Sequence, residues 1–336
     1  MKVLLYFESI DKIKKSGIGR AMRHQMTALE SAGVDFTIDP HDTYDMVHIN
    51  TLWAKSKRLL KKCNKKNIPV IVHGHSTYED FRNSFRLWKV MTLWFYPQLT
   101  YMYKHAGMII TPTPYSEKLI KGYNLCPDVV NVSNGIELSD YAPDEKKVEA
   151  FKKHFNITNQ KVVVGIGFPF ERKGLHDFIE VARNHPDVTF IWFGYLQHIL
   201  TSFKMLKAIK HKPDNVIMPG YIDNSIIKGA LQYAECLFFP SYEETEGIVV
   251  LEALASHCPV LVRDVGVYDP WLVDGKNCLK AKNNSEFSAK LEQIMNSDNS
   301  KMVLEGYKVA EERTLEKVGV KLKKIYEDFY KKRKGE

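Results

Sequence analysis

The stretch SYEETEGIVVLEALASHCPVLV, residues 241–262, joins an acidic loop to an apolar run, a helix and a second apolar run. Glu244 and Glu252 stand eight positions apart with Gly247 between them. Ile248–Leu251 leads directly into Glu252, and Ala253, Leu254 and Ala255 read as the first turn of a helix, since Ala and Leu favour helix. Beyond the Cys258–Pro259 break, Val260–Val262 is short and apolar enough for a buried strand. A loop carboxylate and another at a helix start can accept hydrogen bonds from the neutral hydroxyls of a sugar and a ribose. Backbone N–H groups at the same helix start can take a phosphate. The stretch therefore suits a nucleotide-sugar. It suits equally a solvated acidic loop before an ordinary helix.

Outward from this stretch, short apolar runs alternate with helical segments. Strands are expected at Lys2–Glu8, Asp45–Asn50, Pro69–His75, Met108–Thr111 and Val129–Gly135 in one half. The other half offers Lys161–Gly165, Thr189–Phe193, Asn215–Met218 and Cys236–Phe239. The alternation predicts an α/β protein with two doubly wound domains facing each other across a cleft. The expected domains are 1–145 and 146–315, with a C-terminal helix over 316–336 packing back on the first domain. The polar stretch Glu137–Gln160, with its short charged helix, reads as the link between halves.

Two loops follow strands in the way nucleotide sites require. Lys15-Ser16-Gly17-Ile18-Gly19-Arg20 follows the first strand and precedes a helical stretch running to Ala32. Gly17 and Gly19 let backbone N–H groups approach a phosphate or sugar, although a tight turn has the same composition. In the second half, Gly165–Gly174 lacks the third glycine of the dinucleotide pattern, which argues against a nicotinamide cofactor. Its Arg172 and Lys173, just before a helix starting near Gly174, can neutralise a diphosphate. The Pro69–His75 strand ends in His73, Gly74 and His75, at the end where open α/β sheets place ligands.

The 336 residues suffice for two domains, and a charged fraction of 26% fits a globular protein. The net charge of +8 is uneven: residues 1–140 carry 19 Lys and Arg against 13 Asp and Glu. A basic half seeks phosphates, nucleic acid or an anionic membrane. Leu52–Lys66 holds seven Lys or Arg and no acid. Arg58, Lys61, Lys62 and Lys65 share one helical face there. Residues 81–116 also lack acid. Phe81, Phe85 and Trp88 recur at helical spacing, with Arg82, Arg86 and Lys89 one step round. This interleaving suits a membrane interface, and equally a core helix with a solvated basic flank. No nucleic-acid motif accompanies the charge. Five scattered cysteines, odd in number and without a CxxC pair, indicate neither a disulfide framework nor a zinc site. Cytoplasmic thiols are the expectation. The first apolar run is too short for a signal peptide, and no stretch nears the ~20 apolar residues of a spanning helix.

The combination resembles the family-4 retaining glycosyltransferases of the GT-B fold, in the manner of bacterial diglycosyldiacylglycerol synthases. Val132-Ser-Asn-Gly-Ile-Glu137 resembles the family's pNGid turn, and Glu244 and Glu252 with Gly247 its E-x7-E motif. Arg172-Lys173-Gly174 resembles its donor-phosphate loop, and Gly17-Ile18-Gly19 its N-terminal glycine loop. The resemblance implies that Glu252 holds ribose hydroxyls of a UDP-sugar and Glu244 hydroxyls of the donor hexose. Lys173 and Arg172 then stabilise the departing diphosphate, Gly17 and the backbone around Gly247 and Ile248 approach the same phosphates, and His75, with His73 as second choice, stands at the donor sugar. It implies retention, with the acceptor attacking on the face the diphosphate leaves and a phosphate oxygen taking the proton. Three positions depart from the family pattern. Gly167 and Phe168 stand where an arginine is usual, Glu246 where an aromatic is usual, and Gly266-Val267 where a double glycine is usual. No DxD triplet occurs, so no metal is expected on the diphosphate.

The activity so implied is transfer of a hexose from UDP-glucose or UDP-galactose to a glycosyldiacylglycerol, at the cytoplasmic face of an anionic membrane. UDP-sugar is a substrate, no cofactor is expected, and nucleic acid is not a partner. Alternatives are a transferase of capsule, teichoic acid or polyprenyl-linked glycan synthesis, a UDP-sugar epimerase, and a non-catalytic basic binding protein.

Overall fold

The computed structural model of the protein describes residues 1–13, 17–196 and 198–335. The chain divides into two compact units. The first comprises 1–78, 89–137 and 313–336, and the second 79–88 and 138–312.

In the first unit six parallel strands stand in the order β2-β1-β3-β4-β5-β6. They are β1 (Lys2–Tyr6), β2 (Asp35–Thr37), β3 (Met46–Ile49), β4 (Val70–His73), β5 (Met108–Thr111) and β6 (Val129–Asn131). The central strands are apolar almost throughout, as strands covered on both faces must be. The edge strand β2, half exposed and only three residues long, carries no such run and gave no signal in the sequence. The Leu315–Lys334 helix belongs to this unit. Its Leu315, Val318, Leu322, Tyr326 and Phe329, spaced three and four apart, join Val3, Leu5 and Met22 in one core.

The second unit repeats the plan with a different order, β12-β11-β10-β7-β8-β9, again all parallel. Its strands are β7 (Val162–Ile166), β8 (Thr189–Phe193), β9 (Val216–Gly220), β10 (Cys236–Phe239), β11 (Val260–Arg263) and β12 (Leu279–Ala281). The strand order reverses between β7 and β10. In open α/β sheets the crevice beyond the carboxyl ends at such a reversal is where ligands bind. In the first unit the reversal falls between β1 and β3.

Two sequence expectations need correction. Glu137–Gln160 is no free link: its Glu145–Phe155 helix is capped by Asp144, buries Phe151 and packs in the second unit. Residues 82–87 are not helical. The chain turns after a short Tyr78–Phe81 helix, and the next helix runs Trp88–Lys104. The turn is held instead by specific bonds. Asn83 O accepts from Arg172 N at 3.2 Å, Arg86 N donates to Leu200 O at 2.7 Å, and Phe85 packs on Phe170 at 5.1 Å.

Candidate active site

The residues that follow β7 and β10 meet at the reversal point of the second sheet. After β7 the chain forms a 3-10 turn, Glu171–Lys173, then passes Gly174 into the Leu175–Arg183 helix. Gly174 is left-handed at φ 72°, and a Cβ there would strike the Pro240 carbonyl beyond β10. Only glycine lets the two loops come this close. Arg172 ties them together. Its Nε donates to Ser84 Oγ at 2.7 Å, its Nη1 donates to Glu243 O at 2.9 Å, and its carbonyl accepts from Tyr242 N at 2.7 Å.

Lys173 Nζ donates to Glu244 Oε1, and Arg172 Nη1 lies 3.6 Å from the same oxygen. For Glu244, burial pushes the carboxyl up. The charges of Lys173 and then Arg172, with hydrogen bonds from Lys173 and Ser241, outweigh it and hold the carboxyl below its ordinary value. For Lys173, burial lowers the ammonium pKa, Glu244 opposes this and Arg172 reinforces it. Two cations thus share one carboxylate, which leaves positive charge for an anion.

The helix that carries the second glutamate spans Ile248–Ala255, five residues earlier than the sequence suggested. Glu252 is therefore not at the helix start. It lies one turn in and is 1% exposed. The true start is Gly247, left-handed at φ 83°, and no side chain caps it. Ile248 is the first helical residue, so its N–H and its neighbour's are the ones placed for an anion. Tyr268, which sequence reasoning passed over, is fully buried. Its hydroxyl has no hydrogen-bond partner among the described residues and lies 3.6 Å from where a Gly247 Cβ would be.

Of the remaining candidates, Gly17, Gly19, the histidines and the Arg58–Lys65 face lie in the first unit, whereas Arg82, Phe85, Arg86 and Trp88 lie in the second. Gly17 and Gly19 are not in a loop but open the Gly17–Ser31 helix, Gly17 exposed and Gly19 buried. Lys15 and Ser16 of that motif lie outside the described residues. His73 ends β4, and His75 stacks on it with ring centroids 3.8 Å apart. Burial depresses His75 to about 3 and His73 well below its ordinary value, so both are neutral near pH 7. His48, Gln25 and Tyr326 complete this cluster. A histidine inside the apolar Met46–Ile49 strand was the one signal available; Tyr326, 278 residues away from it, gave none.

Arg58, Lys61, Lys62 and Lys65 are exposed on one face of the Ala54–Lys65 helix, whose other face buries Leu59, Leu60 and Cys63. Lys57 and Lys61 lie over the Tyr101 ring at 4.2 and 5.2 Å, which joins this helix to Trp88–Lys104. On the latter, Val90, Met91, Leu93 and Trp94 are exposed. Arg82 and Arg86 are exposed in the preceding turn, whereas Phe85 and Trp88 are half-buried, Phe85 by its packing on Phe170. Among the described residues no helix is long and apolar enough to cross a membrane, and no group of three or more His, Cys, Asp or Glu is placed to hold a metal ion.

Comparison with known proteins gives the family. Residues 15–140 match the family model Glycosyltransferase Family 4, and 146–309 match Glycosyl transferases group 1. The chain is 53% identical to a processive diacylglycerol alpha-glucosyltransferase of Acholeplasma laidlawii, over 98% of this chain and 99% of the relative. It is 24% identical to an alpha-galactosylglucosyldiacylglycerol synthase of Streptococcus pneumoniae, covering 74% of this chain and 66% of that one. Its fold is that of Anabaena HepE, solved with UDP-glucose, with a TM-score of 0.77 at 15% identity over 98% of this chain and all of that one. The chain therefore belongs to the family-4 glycosyltransferases of the GT-B fold, in the group that includes the glycosyldiacylglycerol synthases.

Proposed function

We propose that this protein transfers glucose, with retention, from UDP-glucose to a glycosylated diacylglycerol at an anionic membrane surface. The observation that carries the reading is the 53% identity, over essentially both whole chains, to a diacylglycerol glucosyltransferase. The geometry of the second unit agrees with it. Lys173, Arg172 and the uncapped helix start at Ile248 form an anion site at the reversal of the sheet. In this role they hold the diphosphate and stabilise the charge that grows on it as the glycosidic bond breaks. Glu252 takes ribose hydroxyls, and Glu244 takes hydroxyls of the hexose once the diphosphate draws Lys173 away. A phosphate oxygen of the leaving UDP accepts the proton of the attacking hydroxyl. His75, being neutral, hydrogen-bonds a sugar hydroxyl without adding charge.

The membrane contact is assigned to the first unit. The basic face of Arg58, Lys61, Lys62 and Lys65 meets anionic headgroups, and the exposed Val90, Met91, Leu93 and Trp94 enter the interface. Arg82, Phe85 and Arg86 belong to the second unit, where Phe85 packs on Phe170, and take no part in this contact.

The test is incubation with UDP-glucose or UDP-galactose and vesicles containing monoglucosyldiacylglycerol, with products read by mass. A diglucosyl product from UDP-glucose supports the reading. No lipid product from either donor, together with product on a polyprenyl-linked acceptor, rejects it.

A further inference from the structure

Three histidines of the first unit form a column whose protons can be assigned from its ends. Gln25 Nε2 lies 2.9 Å from His48 Nδ1 and donates to Tyr326 Oη at 3.4 Å, and Tyr326 Oη lies 2.7 Å from the same His48 Nδ1. His48 Nε2 lies 3.2 Å from His73 Nδ1. The His73 ring stacks on His48 at 5.2 Å and on His75 at 3.8 Å, with interplanar angles of 15° and 18°. His75 Nε2 lies 3.3 Å from Asn50 Oδ1.

Gln25 Nε2 is an amide nitrogen and can only donate, so His48 Nδ1, which faces it, accepts. A neutral imidazole has one proton, which then sits on His48 Nε2 and is donated to His73 Nδ1. The His73 proton is thereby placed on its Nε2. That atom is buried and has no partner among the described residues, and His73 lines, with His75, Gln25 and Asn134, a cavity that has room for about one water. Asn50 Oδ1 only accepts, so His75 donates from Nε2 and keeps a lone pair on Nδ1. Neutrality is secured by burial and, second, by the charge of His75, which together take His48 to about 3.

We propose that His48 is a positioning residue for the sugar transfer: held by Gln25 and by Tyr326 of the C-terminal helix, it fixes the tautomer of His73, and the His73 ring fixes the plane of His75. This rests on the reading of His75 as a sugar contact. No part of His48 reaches a substrate in this role. It is fully buried, and its effect passes through the ring stacked between it and His75. The C-terminal helix thereby gains a function besides closing the first core, since its Tyr326 hydroxyl holds the far end of the column.

The test combines histidine-selective 15N spectra at neutral pH with steady-state kinetics on the full-length protein. In the parent, His48, His73 and His75 are expected as Nε2–H tautomers. His48→Phe keeps a flat ring but cannot donate. It is expected to send His73 to a mixed or Nδ1–H state and to lower kcat about tenfold, with KM for UDP-glucose within about twofold. His48→Gln, whose amide N–H can reach His73 Nδ1, is expected to restore both. Should His48→Phe not fold, Gln25→Leu combined with Tyr326→Phe removes both donors to His48 and is expected to give the same two changes. An Nδ1–H tautomer for His73 in the parent overturns the proposal. So does a variant that alters the spectrum and leaves kcat unchanged, or a His48→Gln protein no better than His48→Phe. If the parent makes no glycolipid, the functional reading fails by itself, and the spectra still decide the tautomers.

Discussion

Lys173 and Glu244 form an ion pair in which both side chains are largely closed to solvent, 15% and 8% exposed. One comes from the turn after β7 and the other from the loop after β10, so the pair bridges the two loops at the reversal of the second sheet. An ion pair so buried contributes little net stability, because desolvation offsets its attraction, yet losing Lys173 leaves the buried Glu244 carboxylate with only the longer Arg172 contact at 3.6 Å.

Lys173→Met should therefore act on both folding and chemistry. Unfolding free energy in urea is expected to fall by about 3 kcal/mol, and transfer by about 10²-fold or more. Adding Glu244→Gln removes the under-paired carboxylate and should recover part of the stability but none of the activity. A Lys173→Met protein with parental turnover would remove the lysine from the donor site.

Arg172 is expected to resist replacement by lysine. Its guanidinium spans Ser84 Oγ, Glu243 O and the Glu244 carboxylate, three directions that one ammonium cannot serve. Arg172→Lys should weaken UDP binding about tenfold in calorimetry and lower the melting temperature. Unchanged affinity would mean that only its charge matters.

Glu252 separates the two ends of the nucleotide. Buried in the second turn of its helix, it is assigned to the ribose, whereas Lys173 is assigned to the phosphates. Competition by uridine and by UDP tells these apart. Glu252→Gln should weaken both competitors by a similar factor, and Lys173→Met should weaken UDP alone. Equal effects of the two substitutions on uridine would refute the division.

How far the sequence carried these assignments depended on range. Strands buried on both faces announce themselves as apolar runs, so ten of the twelve strands were legible, while β2 and β12, three-residue strands at the sheet edges, were not. Arg172, Lys173, Glu244 and Glu252 were legible as candidates because each lies in a short motif after a strand. Helix starts were harder. The β-branched Ile248-Val249-Val250 reads as strand by propensity, and tertiary burial makes it helix. Phe81, Phe85 and Trp88 had helical spacing by coincidence, since their turn is fixed by bonds to Arg172 and Leu200. The His48–Tyr326 contact joins residues with no pattern in common, and only the fold brings them together.

Vesicle binding should depend on the first unit's surface and leave the nucleotide site untouched. Leu93 is 79% exposed and Trp94 55%. Leu93→Ser with Trp94→Ser should weaken sedimentation with anionic vesicles. Replacing Arg58, Lys61, Lys62 and Lys65 with Gln should weaken it further and flatten its salt dependence, since each basic residue contributes about 1 kcal/mol near an anionic leaflet. UDP affinity should stay at the parental value in both. Parental vesicle binding by both variants would move the membrane face elsewhere.

The histidine column should make stability depend on pH well above the carboxylate range. His48 and His75 are held at about 3 and His73 well below its ordinary value, in each case chiefly by burial, whereas in the unfolded chain each returns to 6.5. Between these limits the unfolded chain binds more protons than the folded one, so stability is fully present above pH 6.5 and is lost as pH falls. Each histidine contributes a slope of about 1.4 kcal/mol per pH unit. His48 and His75, both held at about 3, predict about 3 kcal/mol per unit between pH 6 and pH 4, and His73 adds to it in the same direction, before the lowered Glu244 adds its own loss below its ordinary value of 4.5. Urea unfolding across this range measures the slope, and His48→Phe should reduce it by about a third. A flat profile from pH 7 to pH 5 would show that the three imidazoles protonate in the folded protein, and the neutral column would then be wrong.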